Sequence, residues 1–169
     1  EGLTILHGPP GTGKTTTLIE GILQMIGQGQ RVLVTAPSNA AVDNVAKGLL
    51  KFGVNILRVG NTTKVDDSIF PYTLEGKMKE SKEHKEIKKL KIRAEELRKM
   101  SYQYKRNFGK AERDQRRALM QEVKRIRKEI KDVREYSAHK CFENANVVLG
   151  TPIGILNALQ KDAKFDALV

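Results

Sequence analysis

The sequence has one cysteine, Cys141, no tryptophan, and only 5% aromatic residues. A lone cysteine excludes an internal disulfide and fits a reducing compartment, and a buried, inert thiol is its expected role. No basic leader followed by an apolar stretch opens the 169 residues, and no apolar run approaches the roughly 20 residues of a membrane helix. A soluble, intracellular protein is expected, cytoplasmic, or nuclear in a eukaryote, with no membrane partner. His7, His84 and His139 share no ligand spacing, so they do not point to a metal centre. Apolar residues reach only 39% while charged residues reach 30%, so part of the chain must be largely solvated.

The charge is unevenly placed. Residues 77–140 carry 23 Lys+Arg against 11 Asp+Glu, a net of +12, whereas the remainder holds 8 against 9. The formal net charge of +11 therefore resides in one central segment. That segment has no proline, and its single glycine is Gly109. Ile87, Leu90, Ala94, Leu97, Ser101, Tyr104 and Phe108 alternate at three and four residues, as do Leu119, Val123, Ile126, Ile130 and Val133. This spacing predicts two amphipathic helices broken near Asn107–Gly109 and folded back as an antiparallel hairpin. About 20 residues per arm would give a rod of roughly 30 Å. Solvated basic faces are the ordinary outcome for such helices; contact with phosphate backbones is the alternative. Tyr102 and Tyr104, near the tip, could stack on bases, although packing or simple exposure is the readier explanation.

The flanks read differently. In residues 1–76, "LTILHG" (Leu3 to Gly8) predicts a short strand, "KTTTLIEGILQMIGQGQ" a helix, "RVLVTA" (Arg31 to Ala36) a second strand, and "VNILRVG" a third. Between the last two, Pro37 ends a strand, and Ser38 or Asn39 can cap a helix whose apolar face is Val42, Val45, Leu49 and Leu50. Residues 141–169 return to the pattern: "NANVVLGTP" as strand, "IGILNALQ" as helix, and "KFDALV" as closing strand. Strands alternating with helices predict an α/β fold with a parallel sheet, interrupted by the residue 77–140 hairpin as an insertion.

"GPPGTGKT", Gly8 to Thr15, matches G-x-x-x-x-G-K-[ST] between a predicted strand and a predicted helix. Gly8, Pro9, Pro10, Gly11, Thr12, Gly13, Lys14, Thr15 and Thr16 are the candidate nucleotide-binding residues. Gly11 and Gly13 permit backbone N–H groups to turn toward phosphates, and Lys14 supplies a point charge for the β- and γ-phosphates. The Thr15 hydroxyl, in the first helical turn, is the candidate ligand for Mg²⁺. Lys14 and Thr15 are thus the candidate catalytic residues, with ATP and Mg as cofactors.

"TAPSNAAVDNV" (Thr35 to Val45) places Ser38 and Asn39 where a strand passes into a helix N-terminus, a place suited to a phosphate. A plain helix cap would explain Pro37, Ser38 and Asn39 but leave Asp43 and Asn44 arbitrary. With the glycine-rich loop before it, this stretch resembles motif Ia of the superfamily 1 helicases, in the branch of the nonsense-mediated-decay and immunoglobulin-mu-binding helicases. "GPPGTGKT" resembles that branch's motif I, "LRVG" (Leu57 to Gly60) the end of its third strand, and "VVLGTPIGIL" (Val147 to Leu156) its motif Ic.

The resemblance implies a P-loop, RecA-like domain: residues 1–76 its first part, residues 77–140 a basic two-helix stalk, and residues 141–169 its continuation. It implies an ATP-dependent nucleic-acid helicase or translocase, with Ser38, Asn39, Thr151 and Pro152 touching single-stranded DNA or RNA. It also implies an Asp-Glu motif II directly after "FDALV", an adenine-contacting glutamine motif before the first strand, and a second RecA-like domain with a transition-state arginine. None of these stands among the 169 residues. The expectation is a chain that ends before motif II and does not turn over ATP alone, with an open sheet edge through which copies could associate.

Two further readings compete. "GPPGTGKT" also suits an AAA-type ATPase, which would place an acidic pair after the third strand. Asp66–Asp67 lack a preceding apolar strand and are expected in a loop, and "APSNAAVDN" has no place in that group. A non-catalytic module whose basic hairpin recruits nucleic acid or protein would suit the missing motif II but not the intact loop.

Overall fold

A computed structural model describes residues 2–103, 109–159 and 163–169. Contacts divide the chain into one unit formed by Glu1–Lys77 with Cys141–Val169, and a second, Met78–Lys140.

The first unit is built on a parallel sheet. Its strands are β1 (Val32–Thr35), β2 (Ile56–Arg58), β3 (Val147–Gly150) and β4 (Ala167–Leu168), in the spatial order β2-β3-β1-β4. Val32 pairs with Val147 on one side and Ala167 on the other, and Ile56 also pairs with Val147, so β3 is the centre of the ladder. Its helices are α1 (Lys14–Gly27), α2 (Asn39–Leu50), most of α3 (Leu74–Glu80) and α6 (Pro152–Ala158), with 3₁₀ turns at Thr62–Lys64 and Phe70–Tyr72.

Successive strand residues point to opposite faces, and two cores result. Val32, Val34, Ile56, Val147 and Leu149 pack on one face with Ile22 of α1 and Val42, Ala46 and Leu49 of α2. Leu57 and Val148 point the other way and pack with Phe142, Ala145 and Ile155. Each apolar side chain buried this fully contributes about 1.5–3 kcal/mol. At the α1–α2 contact Ile19 packs over Gly48, where an added Cβ would fall 2.2 Å from Ile19 Cδ1 and make that side chain move. Gly29, at φ 80°, turns the chain out of α1 in a left-handed conformation. Cys141 is half-buried against the second core rather than enclosed.

One expected strand does not form. Residues 2–9 adopt no regular structure, and Leu3 and Ile5 are 89% and 79% exposed. A strand needs ladder partners and a buried face. Among the described residues, neither is supplied to this run.

The second unit consists of α4 (Lys82–Tyr102) and the greater part of α5 (Lys110–Asn144). Ser81 starts α4 by accepting from the His84 amide at 3.3 Å, which separates it from α3. The stretch from Lys77 to Glu80 therefore belongs to α3 rather than to a hairpin arm, and α5 runs 35 residues, well beyond the expected arm. Ile87, Ala94 and Ser101 are buried on α4, and Val123, Ile126 and Ser137 on α5. Contacts between the helices run in antiparallel order: Glu83 with Lys140 at 3.7 Å, Ser101 Oγ with Met120 at 3.4 Å, and Tyr102 under the Arg116 guanidinium at 5.1 Å. Tyr102 is thus engaged by an arginine. Tyr104, Phe108 and most of the expected break at Asn107–Gly109 lie outside the described residues.

Candidate functional site

The glycine-rich loop enters α1 through two left-handed glycines, Gly11 at φ 82° and Gly13 at φ 83°. Gly13 occupies the cap position, no side chain caps the helix, and its first turn holds no acidic residue. The first helical bond is Thr17 N to Gly13 O at 3.0 Å, so the preceding N–H groups have no partner within the helix. The helix end therefore carries an uncompensated partial positive charge. Lys14 Nζ folds back over the loop, donating to the carbonyl oxygens of Gly8 at 2.7 Å and Pro9 at 2.6 Å, and Thr12 Oγ1 donates to Pro9 O at 2.8 Å. Pro10, Thr15 and Thr16 are exposed around this end. The arrangement fits an anion: the first N–H groups of α1 lack helical partners, the Lys14 ammonium stands over the loop, and no acidic residue lies in the first turn. Among the described residues no three His, Cys, Asp or Glu gather to hold a metal ion. A Mg²⁺ ion here would be held by phosphate oxygens and water with one hydroxyl, that of Thr15.

The second candidate site lies where β1, β2 and β3 end. Ser38 Oγ accepts from Ala41 N at 3.2 Å and caps α2; Thr151 Oγ1 accepts from Gly154 N at 3.3 Å and caps α6, with Pro152 in its first turn. Asn39 and Thr151 line one groove of about 740 Å³ together with Arg58, Gly60, Asn61, Lys64 and others. Ser38 and Pro152 do not line it. Close backbone approach shapes this groove, since a Cβ on Gly154 would sit 3.1 Å from Gly60 Cα.

Two residues there escaped the reading of the sequence. Arg58 Nε donates to Asp43 Oδ1 at 2.8 Å, Nη2 to Asn39 Oδ1 at 2.8 Å, and Nη1 to the carbonyl of Val59. Asp43 Oδ2 accepts from Asp66 N at 3.0 Å. Asp43, arbitrary as part of a cap, is the counter-ion of a buried arginine. The signals were present: Asn39 and Asp43 stand four apart on one helix face, and Arg58 interrupts an apolar strand. Asp66 lies in the connection between the 3₁₀ turns, as expected for a loop. The Lys47 ammonium at 2.6 Å and the Ser68 hydroxyl and amide hold its carboxyl down at about 2.

With this geometry in place, the comparisons decide the family. A family-wide sequence profile described as "AAA domain" matches residues 1–169. The chain belongs to the AAA domain family. It stands in the superfamily 1 helicase branch that its motifs resemble. DNA-binding protein SMUBP-2 of Mus musculus is 36% identical over 152 residues, covering 90% of this chain and 15% of that protein. DNA polymerase alpha-associated DNA helicase A of Saccharomyces cerevisiae is 35% identical over 144 residues, covering 82% of this chain and 19% of that protein. The DNA replication ATP-dependent helicase/nuclease DNA2 of Homo sapiens matches 41% of the chain at 40% identity, within 7% of its own length. The chain thus spans less than a fifth of the curated relatives it matches. Among the described residues, no helix is long and apolar enough to cross a membrane.

Proposed function

We propose that this chain is motor-domain sequence of an ATP-dependent nucleic-acid helicase or translocase. It binds Mg-ATP at Gly8–Thr16 and the backbone of single-stranded DNA or RNA at the groove of Asn39 and Thr151. The observation that carries the reading is the pairing, in one α/β unit, of an uncapped helix end under Lys14 with a groove at the strand ends that Asn39, Lys64 and Thr151 line beside Glu75 and several apolar side chains. Names among the relatives support it, since they include DNA helicases and a DNA-binding protein. Within the AAA domain family, those names favour the helicase reading over an AAA-type ATPase that is not a helicase, and over a non-catalytic module.

In this reading Lys14 exchanges its carbonyl partners for β- and γ-phosphate oxygens, and the backbone N–H groups of Gly11 to Thr16 take the remaining charge. Thr15 would hold Mg²⁺, which when bound would offset phosphate charge. Asn39 and Thr151 hold the strand, with Ser38 and Pro152 setting the helix ends that carry them. The hairpin of α4 and α5 acts as a basic stalk, and a second RecA-like domain closes on the nucleotide. The proposed compartment is intracellular. Strand exchange between copies at the sheet edges is also proposed; a monomer by light scattering over a concentration series would remove it.

The test is ATP binding and turnover by these 169 residues, with and without single-stranded nucleic acid, against Lys14→Ala. Magnesium-dependent nucleotide binding that disappears in Lys14→Ala is expected, and binding indifferent to Lys14 would overturn the assignment. Robust turnover lost in the variant would assign the water-positioning role to a carboxylate present here.

A further inference from the structure

Asn39 does not approach the groove as a free amide. A guanidinium can only donate hydrogen bonds, so the Asn39 atom 2.8 Å from Arg58 Nη2 is the carbonyl oxygen. Its other end, the donor Nδ2, is turned away from the arginine. Arg58 is fixed in turn. Its side chain is fully buried, with Asp43 on Nε and the Val59 carbonyl on Nη1. Asp43 is held by the Asp66 amide. Gly60, beside this arginine, has φ 118°, a backbone conformation that favours glycine.

The chemistry of the proposed ligand gives this orientation a purpose. Phosphate oxygens only accept hydrogen bonds, so of the two amide flips only the one that presents Nδ2 can serve a nucleic-acid backbone. From this geometry we infer that Arg58 is a positioning residue: it locks the Asn39 amide with its donor end available to a phosphate oxygen in the groove that Thr151 shares. The inference rests on the reading of that groove as a backbone-binding site. Arginine suits the task because a planar fork can serve three acceptors in fixed directions, whereas the ammonium of lysine is a single point. Prior ordering of Asn39 removes a cost that binding would otherwise meet.

The test is binding of a fluorescent oligo-dT strand at one fixed salt concentration, measured for Asn39→Ala, Arg58→Lys, Thr151→Ala and the two double variants containing Arg58→Lys. Asn39→Ala and Arg58→Lys should each weaken binding about tenfold, the size expected for one hydrogen bond to a charged group. Together they should weaken it no further, because Arg58 acts through Asn39. With Thr151→Ala, by contrast, the effect of Arg58→Lys should multiply. A general structural role for Arg58 would make its effect multiply in both backgrounds, and that result would overturn the inference. Wild-type binding that Asn39→Ala leaves unchanged would overturn it as well. Absence of binding by the wild-type chain removes the groove reading and the inference with it, whereas binding with independent Arg58 and Asn39 effects removes the inference alone. If Arg58→Lys does not fold, relaxation of the Asn39 side-chain amide in the wild-type protein decides. Order near the rigid-backbone value of about 0.85 supports the lock, and a value below about 0.6 overturns it.

Discussion

Arg58 Nε lies 2.8 Å from Asp43 Oδ1, with the arginine side chain fully out of solvent and the aspartate 7% exposed. Removing one member of such a pair leaves the other charge buried without its counter-ion. Asp43→Ala should therefore destabilise the chain by about 3–5 kcal/mol. Urea unfolding should show a lower midpoint at unchanged slope. A loss under about 1 kcal/mol would mean that water reaches the guanidinium in the variant.

Gly13 presents a different kind of constraint. A Cβ added there meets nothing within 4 Å, yet φ is 83°. The cost of Gly13→Ala is thus one of backbone conformation, about 1–2 kcal/mol. It falls on the residue that aims the first N–H groups of α1. Calorimetric titration with Mg-ADP should show weakened binding, alongside a modest fall in melting temperature. Undiminished affinity would show that the loop reaches its bound form without a left-handed residue at this position.

The Asp66 carboxyl, at about 2 against an ordinary 3.8, favours the charged form in the folded state through Lys47 and Ser68. A depressed carboxylate contributes stability that is present above about 4 and is lost as pH falls through about 2. The expected outcome is a carboxyl carbon resonance titrating near 2, with faster amide exchange at Ser68 below that pH. A midpoint near 3.8 would mean that the Lys47 ion pair, exposed as it is, does not persist in solution.

On α5, Lys124, Arg125 and Lys128 are exposed while the neighbouring Val123 and Ile126 are buried. Reversing these three charges should leave the hairpin seam intact and the melting temperature nearly unchanged. If this face touches a single strand, binding should weaken, and the slope of log K against log salt should become shallower by about 0.7 for each phosphate that is no longer neutralised. An unchanged slope would make the second unit a spacer or a protein-docking arm.

What was legible in the sequence was what is local. The loop from Gly8 to Thr15, the Ser38 cap, the apolar face of α2 and the two seams of the hairpin each need only a few neighbouring residues to specify them. The strand expected at Leu3–Gly8 failed because an apolar run states a preference for burial and cannot supply the neighbour that satisfies it. The order β2-β3-β1-β4 was likewise out of reach, because it is set by pairings between residues 91 to 135 positions apart. The orientation of Asn39 depends on a residue 19 positions away. A single arginine in an apolar strand was the visible trace of that link.

The position of β3 bears on how such a chain is made. β1 and β2 precede it by the whole length of the hairpin, and neither pairs with the other; each finds its ladder partner in β3. During synthesis, therefore, the early strands leave the ribosome with their hydrogen-bonding edges unmatched until the last quarter of these residues has been added. Pairing so distant in sequence is slow to close. Over that interval α1 and α2 can shelter one face of β1 and β2, and their strand edges are where a chaperone, or an aggregation event, would find its opening. In pulse-labelled exchange, the Val148 amide should gain protection after that of Ile22; simultaneous protection would mean that the sheet closes in one step.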